Sequence, residues 1–363
     1  MVRVVLVSSG KGMRGGERQV LELGTRLRER GVEAVFAVRR GSTLARSVPR
    51  GFEKLEAGFE RFPLLTPFAL RRFALDFGAD LMHAHTSLAH THARLACRGD
   101  LPLVVSRRVA FEGSAGAPAS WKYRRGVAHY IPISEAAAGS LLSRGVERHE
   151  MTVIRSGIDT GRFSPGRRND ELRRRLLGGG EGTIVSTAAA FEKEKGHNVL
   201  VEAAGMVSAS LPGVVFVLSG AGSLEDRIRD AVERRGLAGS FEFVGDELPL
   251  EDLLAASDIY ALPSIEEGLS TGLMAAMASG LACIASRTGG IPELLEDGAG
   301  ILFEPGDAAD LASGLMALAS NARIREELGR RAARLSGSFD IERTVERTAE
   351  VYGRVLEKSS RRL

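Results

Sequence analysis

The chain has 363 residues, 44% hydrophobic and 26% charged, which is too long for one ordinary core and predicts two domains. No apolar run reaches the roughly 18 residues of a membrane-spanning helix, and the N-terminus lacks a signal-peptide pattern, so a cytoplasmic protein is expected. The two cysteines, Cys97 and Cys283, are too few and too far apart for a disulfide framework or a metal site.

The net charge of +3 hides an asymmetry along the chain. Residues 1–168 carry 28 Lys and Arg against 15 Asp and Glu, and the remainder carries 21 against 31. A basic first half suggests an anionic partner, such as a phosphorylated acceptor or an anionic membrane, and a solvated basic face is the alternative. Aromatic residues do not interleave with the basic pairs, so no nucleic-acid partner is expected.

Strand-like and helix-like segments alternate in the first half. The apolar run at 2–9 predicts a strand, and the apolar spacing over 17–31 predicts a helix that ends at Gly31. Further strands are predicted in the segments VEAVFAVRR, ADLMHAHT, LPLVVSRR, HYIPIS and MTVIRSG. The segment SGIDTGRFSPGRRND is rich in Gly, Ser, Pro and charge, and we expect a linker there.

The alternation restarts at TIVSTAAA in the second half. Strands in VVFVLSG, FEFVG, DIYALPS, LACIAS and GILFEP alternate with helices near 197–210, 224–235, 249–257, 271–280 and 307–319. Such alternation predicts parallel sheets with right-handed crossovers. We therefore predict an α/β protein of two doubly wound Rossmann-like domains, 1–165 and 166–338, facing a central cleft. A last helix within 339–363 could pack back on the first domain.

A glycine-rich turn follows the first predicted strand. SSGKGMRGGE matches G-x-G-x-x-G at Gly10, Gly12 and Gly15, which is the context of a dinucleotide fingerprint. Arg39 and Arg40 stand where an acid would bind ribose, and arginine suits a 2′-phosphate, so an NADP-dependent oxidoreductase is one alternative. A turn of this kind also lets the backbone approach a sugar or phosphate.

The segment PSIEEGLSTGLMAAMASG, residues 263–280, is the most informative. Gly268 permits close approach of a ligand, and the helix predicted to begin near Ser270 offers unpaired N–H groups to a diphosphate. Glu266 or Glu267 could accept hydrogen bonds from sugar hydroxyls. An acidic cap beside the helix dipole is the alternative interpretation.

Two other strand-to-helix turns carry features of an anion site. Lys193 and Lys195, in FEKEKG, stand where a lysine could reach an anion held at the strand end. Gly289 and Gly290, in SRTGG, form a second place where backbone amides could face the cleft.

Four histidines, at positions 83, 85, 90 and 92, invite a metal hypothesis. His83 and His85 alternate on a predicted strand without cysteines or a carboxylate set around them, so no metal is expected. His85 lies at the carboxyl end of that strand and is predicted to contact an acceptor.

In order and spacing, these segments resemble the retaining GT-B glycosyltransferases of group 1, also called family 4, which use nucleotide sugars. The similarity covers nearly the whole chain and includes RGGERQVLELGTRLRERG, EKGHNVLVEAA, LSGAGSLEDRI and TGGIPELLEDGAGILFEPGD. It implies transfer of a sugar from a nucleotide diphosphate to a hydroxyl of a glycan or glycolipid of the cell envelope, without a metal or other cofactor. It also implies that the first domain binds the acceptor, and the basic charge of that domain makes contact with the inner face of the cytoplasmic membrane one option.

The resemblance also assigns residues to roles. Glu267 would contact the donor sugar and Lys195 the diphosphate, and these are the two catalytic positions. The donor-binding set is Gly15, Gly16, Asp246, Glu247, Gly268, Leu269, Ser270, Thr271 and Gly272. The acceptor-binding set is His85, Arg107 and Arg108, with an arginine where the family often has a histidine.

Two positions depart from the family pattern. The second acid, which follows Glu267 after seven residues and holds the ribose, is replaced by Ala275, and Ala190 stands where many members carry arginine. A hydrogen bond to a charged group contributes about 1.5–3 kcal/mol, so its loss weakens donor binding about 10- to 100-fold. A non-catalytic binding or partner subunit is therefore a second alternative.

Overall fold

The computed structural model describes residues 1–59, 65–108, 122–123 and 125–360, and the chain divides into two units. Unit 1 comprises Met1–Gly157 and Ile341–Leu363, and unit 2 comprises Ile158–Asp340. The sequence placed the boundaries at 165 and 338 instead. The shift has a local cause, because Ile158 bridges Asp340 and its N–H donates to Phe339 O at 2.9 Å, which attaches the start of the linker to unit 2.

Unit 1 contains a parallel six-stranded sheet in the order β3-β2-β1-β4-β5-β6. Its strands are β1 (Val2–Ser8), β2 (Val32–Arg39), β3 (Lys54–Ala57), β4 (Leu81–Ala84), β5 (Leu103–Arg107) and β6 (His129–Pro132). The strand order reverses between β1 and β4. In open parallel sheets, ligands bind beyond the carboxyl ends of the strands at such a switch point.

Helices cover both faces of this sheet. They are α1 (Gly15–Arg26), α2 (Thr43–Ser47), α3 (Leu65–Phe77), α4 (Ser87–Cys97) and α5 (Glu135–Leu142). One face forms an apolar core with α3 and α4. The other face packs against α1.

Unit 2 repeats the plan with the sheet order β12-β11-β10-β7-β8-β9. Its strands are β7 (Thr183–Ala188), β8 (Val214–Ser219), β9 (Phe241–Gly245), β10 (Ile259–Leu262), β11 (Ala282–Ser286) and β12 (Ile301–Phe303). All the pairings are parallel. The order reverses between β7 and β10, which makes their carboxyl ends the switch point of this unit.

The helices of unit 2 agree with the sequence pattern to within one or two residues where they were predicted. They are α6 (Asp170–Leu176), α7 (His197–Ser210), α8 (Glu225–Arg234), α9 (Leu250–Ala256), α10 (Thr271–Ala278), α11 (Ile291–Leu294), α12 (Ala308–Ser320) and α13 (Ala322–Ser336). The two doubly wound domains predicted from the sequence are confirmed.

The last helix, α14 (Ile341–Ser360), belongs to unit 1. Val345, Val351 and Tyr352 join the core that α1 shares with β1. The Tyr352 hydroxyl lies 2.7 Å from His83 Nδ1, and Ser106 Oγ lies 2.8 Å from His83 Nε2, so both ring nitrogens of this buried histidine are satisfied. Residues 361–363, at the end of the predicted third segment, lie outside the described residues.

The strand predicted at 151–157 is wrong. Met151 forms an isolated bridge with Tyr130, and the N–H groups of Thr152 and Ile154 donate to Tyr130 O and Pro132 O, each at 3.0 Å. The segment therefore follows the edge of the sheet without completing a strand. Cys97 and Cys283 are both buried free thiols. Within the described ranges, no helix combines the length and the apolar character that crossing a bilayer requires.

Buried histidines should make the fold sensitive to mild acid. Burial, the largest cause in each case, lowers the pKa of His83 and His90 to about 3 and that of His129 and His197 to about 4. The unfolded chain binds these protons near pH 6.5, so stability is full above that pH and falls as the pH drops toward the folded values. Between pH 7 and 5.5, we expect the free energy of unfolding to fall by about 1 kcal/mol per histidine in urea titrations.

His197→Phe provides the matched test, because the His197 ring stacks on Phe191 at a centroid distance of 4.5 Å and a phenyl ring can keep that contact. This variant should show a shallower pH dependence than the unmodified protein. Equal pH dependence of stability in His197→Phe and the unmodified protein would contradict the assignment of that dependence to buried histidines.

Candidate functional site

In unit 2, the two predicted catalytic residues flank the switch point of the sheet. Lys195 lies in the loop that follows β7, and Glu267 lies in the loop that follows β10. β7 and β10 are neighbours in the sheet, and the chain continues from β7 to β8 on one side and from β10 to β11 on the other. The two loops therefore lie at the position where α/β sheets bind ligands.

The structure brings these two side chains into an ion pair. Lys195 Nζ donates to Glu267 Oε2 at 2.7 Å, and the two side chains are 21% and 12% exposed. Ser264 Oγ lies 3.4 Å from the same oxygen, and Gly268 N–H donates to Glu267 Oε1 at 3.2 Å. These contacts hold the Glu267 carboxylate in one orientation, and the Lys195 side chain that pairs with it is the more exposed of the two.

Backbone contacts between the two loops produce this pairing. Glu194 O accepts from the N–H groups of Ile265 and Glu266 at 2.8 and 3.2 Å. Gly196 adopts φ +65°, and a Cβ there would lie 2.0 Å from Pro263 O. A glycine after Lys195 is therefore required for the loops to touch and for the lysine to face Glu267.

The turn after β11 supports the Glu267 loop from behind. Gly290 N–H donates to Gly268 O at 3.0 Å, and Thr288 Oγ1 donates to Ile265 O at 3.1 Å. A Cβ at Gly289 would lie 1.6 Å from Glu267 O. The sequence suggested that the amides of Gly289 and Gly290 could face a ligand, but the Gly290 N–H is used to fix the neighbouring loop instead.

The start of α10 offers backbone donors beside the pair. Ser270 is the N-cap, and its Oγ accepts from Leu273 N–H at 3.2 Å. The N–H groups of Thr271 and Gly272 precede the first intrahelical hydrogen bonds, as at any helix start. Gly272 also has a packing role, since a Cβ there would lie 2.5 Å from the Tyr260 hydroxyl.

The remaining donor positions are spread more widely. Leu269 is buried beside the cap. Asp246 and Glu247 are exposed in the turn that follows β9. Ala275 lies on the buried side of α10 and is 1% exposed, so the position of the missing acid faces packed protein rather than an open surface.

In unit 1, the predicted residues Gly16, His85 and Arg108 lie together at the other switch point. Gly15 and Gly16 begin α1 after β1, and His85 follows β4. Arg108 Nη2 lies 3.4 Å from His85 Nδ1, and a Cβ at Gly16 would lie 3.3 Å from Arg108 Cδ. Because arginine only donates, Nδ1 accepts and the imidazole hydrogen is assigned to Nε2.

Arg108 is a half-buried cation at this point. Its Nη1 donates to Ser156 Oγ at 3.3 Å, a contact that the sequence did not suggest. Burial lowers the Arg108 pKa to about 10, partly offset by Glu17, so the guanidinium stays charged at neutral pH. Burial, the nearby His83 ring and Arg108 hold the pKa of His85 well below its ordinary value, so that imidazole is neutral.

Arg107 does not join this group. Successive residues at the end of β5 point to opposite faces of the sheet, so Arg107 lies on the face of α4. It interacts electrostatically with Tyr123 and Arg144 there, and it lowers the pKa of His90. The sequence grouped both arginines with His85, and the structure separates them.

The histidine-rich segment does not gather metal ligands. His83 is enclosed by Tyr352 and Ser106, and His92 packs edge-on against Phe59 at 5.5 Å between ring centroids. Among the residues that the structure describes, no three His, Cys, Asp or Glu side chains are grouped as ligands of one ion.

Comparisons with known proteins agree with this architecture. The family model described as "Glycosyl transferases group 1" matches residues 168–335, and the "Glycosyltransferase Family 4" model matches residues 13–162. The chain is 31% identical over 298 residues to D-inositol 3-phosphate glycosyltransferase of Salinispora arenicola, covering 76% of this chain and 64% of that protein. The chain therefore spans slightly less than two thirds of the length of this relative.

Two solved structures share the fold. Alr3699/HepE of Anabaena, in complex with UDP and glucose, aligns with a TM-score of 0.86 at 19% identity over 97% of this chain and 100% of that one. WaaG, a glycosyltransferase involved in lipopolysaccharide biosynthesis, aligns with a TM-score of 0.77 at 15% identity over 96% and 99%. Both have the GT-B architecture predicted from the sequence.

The dinucleotide interpretation of the first glycine-rich turn is not supported. A Cβ at Gly10 would lie 2.0 Å from Glu17 Oε1, so a carboxylate occupies the space above the first glycine of the motif. A pyrophosphate at that position would meet negative charge. Together with the family matches, this observation argues against the alternative that the chain is an NADP-dependent oxidoreductase.

Proposed function

Because this chain belongs to the group 1 glycosyltransferases, we propose that it moves a sugar from a nucleoside diphosphate sugar to a hydroxyl of a glycan or glycolipid, with retention of configuration. The observation that carries the donor assignment is the Lys195–Glu267 pair beside the start of α10. A cation, backbone donors and an oriented carboxylate there match a diphosphate joined to a hydroxylated ring.

The proposed chemistry requires negative charge on the departing diphosphate to be stabilised. Lys195 has three N–H donors, so it can keep its bond to Glu267 and also donate to a phosphate oxygen. The N–H groups of Thr271 and Gly272 and the helix dipole add positive potential on the same side. Glu267 accepts hydrogen bonds from sugar hydroxyls and thereby orients the anomeric carbon.

The bond changes then balance without a protein base. The bond from the anomeric carbon to the diphosphate oxygen breaks, the bond to the acceptor oxygen forms, and the acceptor proton moves to the departing phosphate oxygen. We propose that neither a metal nor another cofactor is required, since Lys195 and the start of α10 supply the positive charge in this scheme.

Partners are proposed from the relatives and from charge. HepE was solved with UDP and glucose, which supports a nucleoside diphosphate sugar as donor, and the role of WaaG in lipopolysaccharide biosynthesis supports a cell-envelope acceptor. Arg108 beside His85 suits an anionic acceptor. The basic first half favours a location at the inner face of the cytoplasmic membrane.

A thermal-shift panel of UDP, GDP, ADP and CMP sugars tests the donor class. A ligand at 100 times its Kd adds about 2.7 kcal/mol of stability, so the correct class should raise Tm clearly above the others. The same compounds are then incubated with acceptor extracts, and release of the nucleotide is measured. Stabilisation by a pyridine nucleotide and by none of the sugar nucleotides would refute the proposal.

Ala275 keeps a second candidate function open, a partner subunit that binds without efficient transfer. Because Ala275 is 1% exposed and packed against protein, Ala275→Glu would bury a carboxylate, so we expect it to lower Tm without lowering the donor KM. Ala275→Gln is the uncharged control and should lower Tm less. Acceptor-dependent nucleotide release by the unmodified protein supports the enzyme, whereas donor binding without release shows a degenerate subunit, and the proposed function is then wrong.

A further inference from the structure

A small cavity in unit 1 lies away from the proposed site. It has a volume of about 210 Å³ and lies between the amino end of β6, the segment around Met151 and α14. In a parallel sheet, the amino ends of strands lie opposite the carboxyl ends, where His85 and Gly16 are found. The cavity is therefore a separate feature of this unit.

Its polar lining consists of hydrogen-bond donors and cations. Arg354 and Lys358 extend from α14, four residues apart and so on one face of the helix. Arg354 Nη2 donates to Thr152 Oγ1 at 3.3 Å, and that hydroxyl lies 2.8 Å from His129 Nε2. Arginine, threonine and histidine thus form one hydrogen-bonded row, and Lys358 forms no hydrogen bond or ion pair with any described residue.

Negative charge is absent from the described lining of the cavity. The two carboxylates in the segment before Met151 are engaged, since Glu150 Oε2 accepts from Glu147 N–H at 2.9 Å and Glu147 Oε2 lies 3.1 Å from His149 Nδ1. After burial, Arg354 and Lys358 are the largest causes of the low pKa of His129. Glu150 acts in the opposite direction and offsets this repulsion in part.

We propose that this cavity binds a phosphate group carried by a soluble phosphate ester or by the headgroup of an anionic phospholipid. Two cations and a hydroxyl around a half-enclosed pocket match the several acceptor oxygens and the charge of a phosphate. Met151, Val351 and Val355 also line the cavity, so part of its wall is apolar. The site is independent of the proposed transfer reaction.

The test compares two double variants of the full chain that remove equal charge. Arg354→Ala/Lys358→Ala changes the cavity, and Arg28→Ala/Arg72→Ala removes two exposed cations elsewhere in unit 1. Binding of glycerol 3-phosphate is measured by calorimetry. Sedimentation is measured with phosphatidylcholine vesicles that contain or lack phosphatidic acid, at the same salt concentration. Histidine NMR signals report whether His129 is perturbed.

The cavity variant should bind at least 10-fold more weakly than the control variant, and donor-induced thermal shifts should be equal in both. Saturable glycerol 3-phosphate binding that perturbs His129 supports a soluble ester, whereas loss of vesicle binding alone supports a lipid headgroup. Equal weakening in the two variants, or no binding of either probe by the unmodified protein, would overturn the proposal. Because donor binding is read separately, failure here is distinct from failure of the proposed function.

Discussion

Lys195→Ala should lower kcat for sugar transfer about 100- to 1,000-fold, the usual effect of removing a donor aimed at charge that develops in the transition state. The residue lies 2.7 Å from Glu267 and beside the start of α10, where the diphosphate is proposed to depart. The KM for the acceptor should change little, because the acceptor is assigned to unit 1. Steady-state kinetics with both substrates varied measures the two effects.

Lys193→Ala is the matched control, since this lysine is exposed in the same turn and is not placed in the site. It should retain full turnover. Removing Lys195 also leaves Glu267, 12% exposed, without its cation, so the Tm of each variant is recorded. The double variant Lys195→Ala/Glu267→Gln removes that unpaired charge and should recover stability but not activity. Unchanged turnover in Lys195→Ala would contradict the mechanism.

Gly289→Ala should destabilise unit 2 by about 2–5 kcal/mol and abolish most transfer activity. The position has φ +53°, which costs a residue with a Cβ about 1–3 kcal/mol, and the overlap with Glu267 O adds a repacking cost of similar size. The methyl group, only 1.6 Å from that oxygen, must push the Glu267 loop away from Lys195. Urea unfolding and donor KM measure the two consequences.

Gly306→Ala is a control that separates the cost of backbone strain from the cost of the overlap between the Gly289→Ala methyl group and Glu267 O. This glycine has φ +84°, but no atom lies within 4 Å of its hypothetical Cβ. It should cost about 1–2 kcal/mol and leave the donor KM unchanged. If the two variants were equally stable and equally active, the support that the 288–290 turn gives to Glu267 would be disproved.

The regular elements could be predicted because their signals are local. The apolar run of β7 and the spacing of α7 and α12 determine those elements without reference to distant residues. β3 was missed because Lys54–Ala57 is a short edge strand with little apolar pattern. The segment at 151–157 has the apolar pattern of a strand, yet its regular pairing with β6 is limited to the bridge at Met151, with two further N–H groups, of Thr152 and Ile154, donating to β6.

The candidate site was only partly predictable. The predicted helix start, the glycines and the charged residues of segment 263–280 indicate a phosphate-binding turn. The ion pair of Lys195 and Glu267 could not be predicted, because it joins residues 72 positions apart and depends on the loop contact at Glu194 O. The opposite directions of Arg107 and Arg108 follow from strand alternation, but the sequence does not show which of them accompanies His85. The structure identifies Arg108, because its Nη2 lies 3.4 Å from His85 Nδ1.

The placement of α14 has a consequence for biosynthesis. A ribosome completes all of unit 2 before it makes the helix that supplies Tyr352 to His83 and Val345 to the core of unit 1. Until then, the face of the amino-terminal sheet that packs against α1 lacks the apolar side chains of α14, whereas unit 2 can fold at once because it is a continuous stretch. Nascent chains stalled after residue 340 should expose that face to chaperones, and release of the final 20 residues of helix should end the exposure.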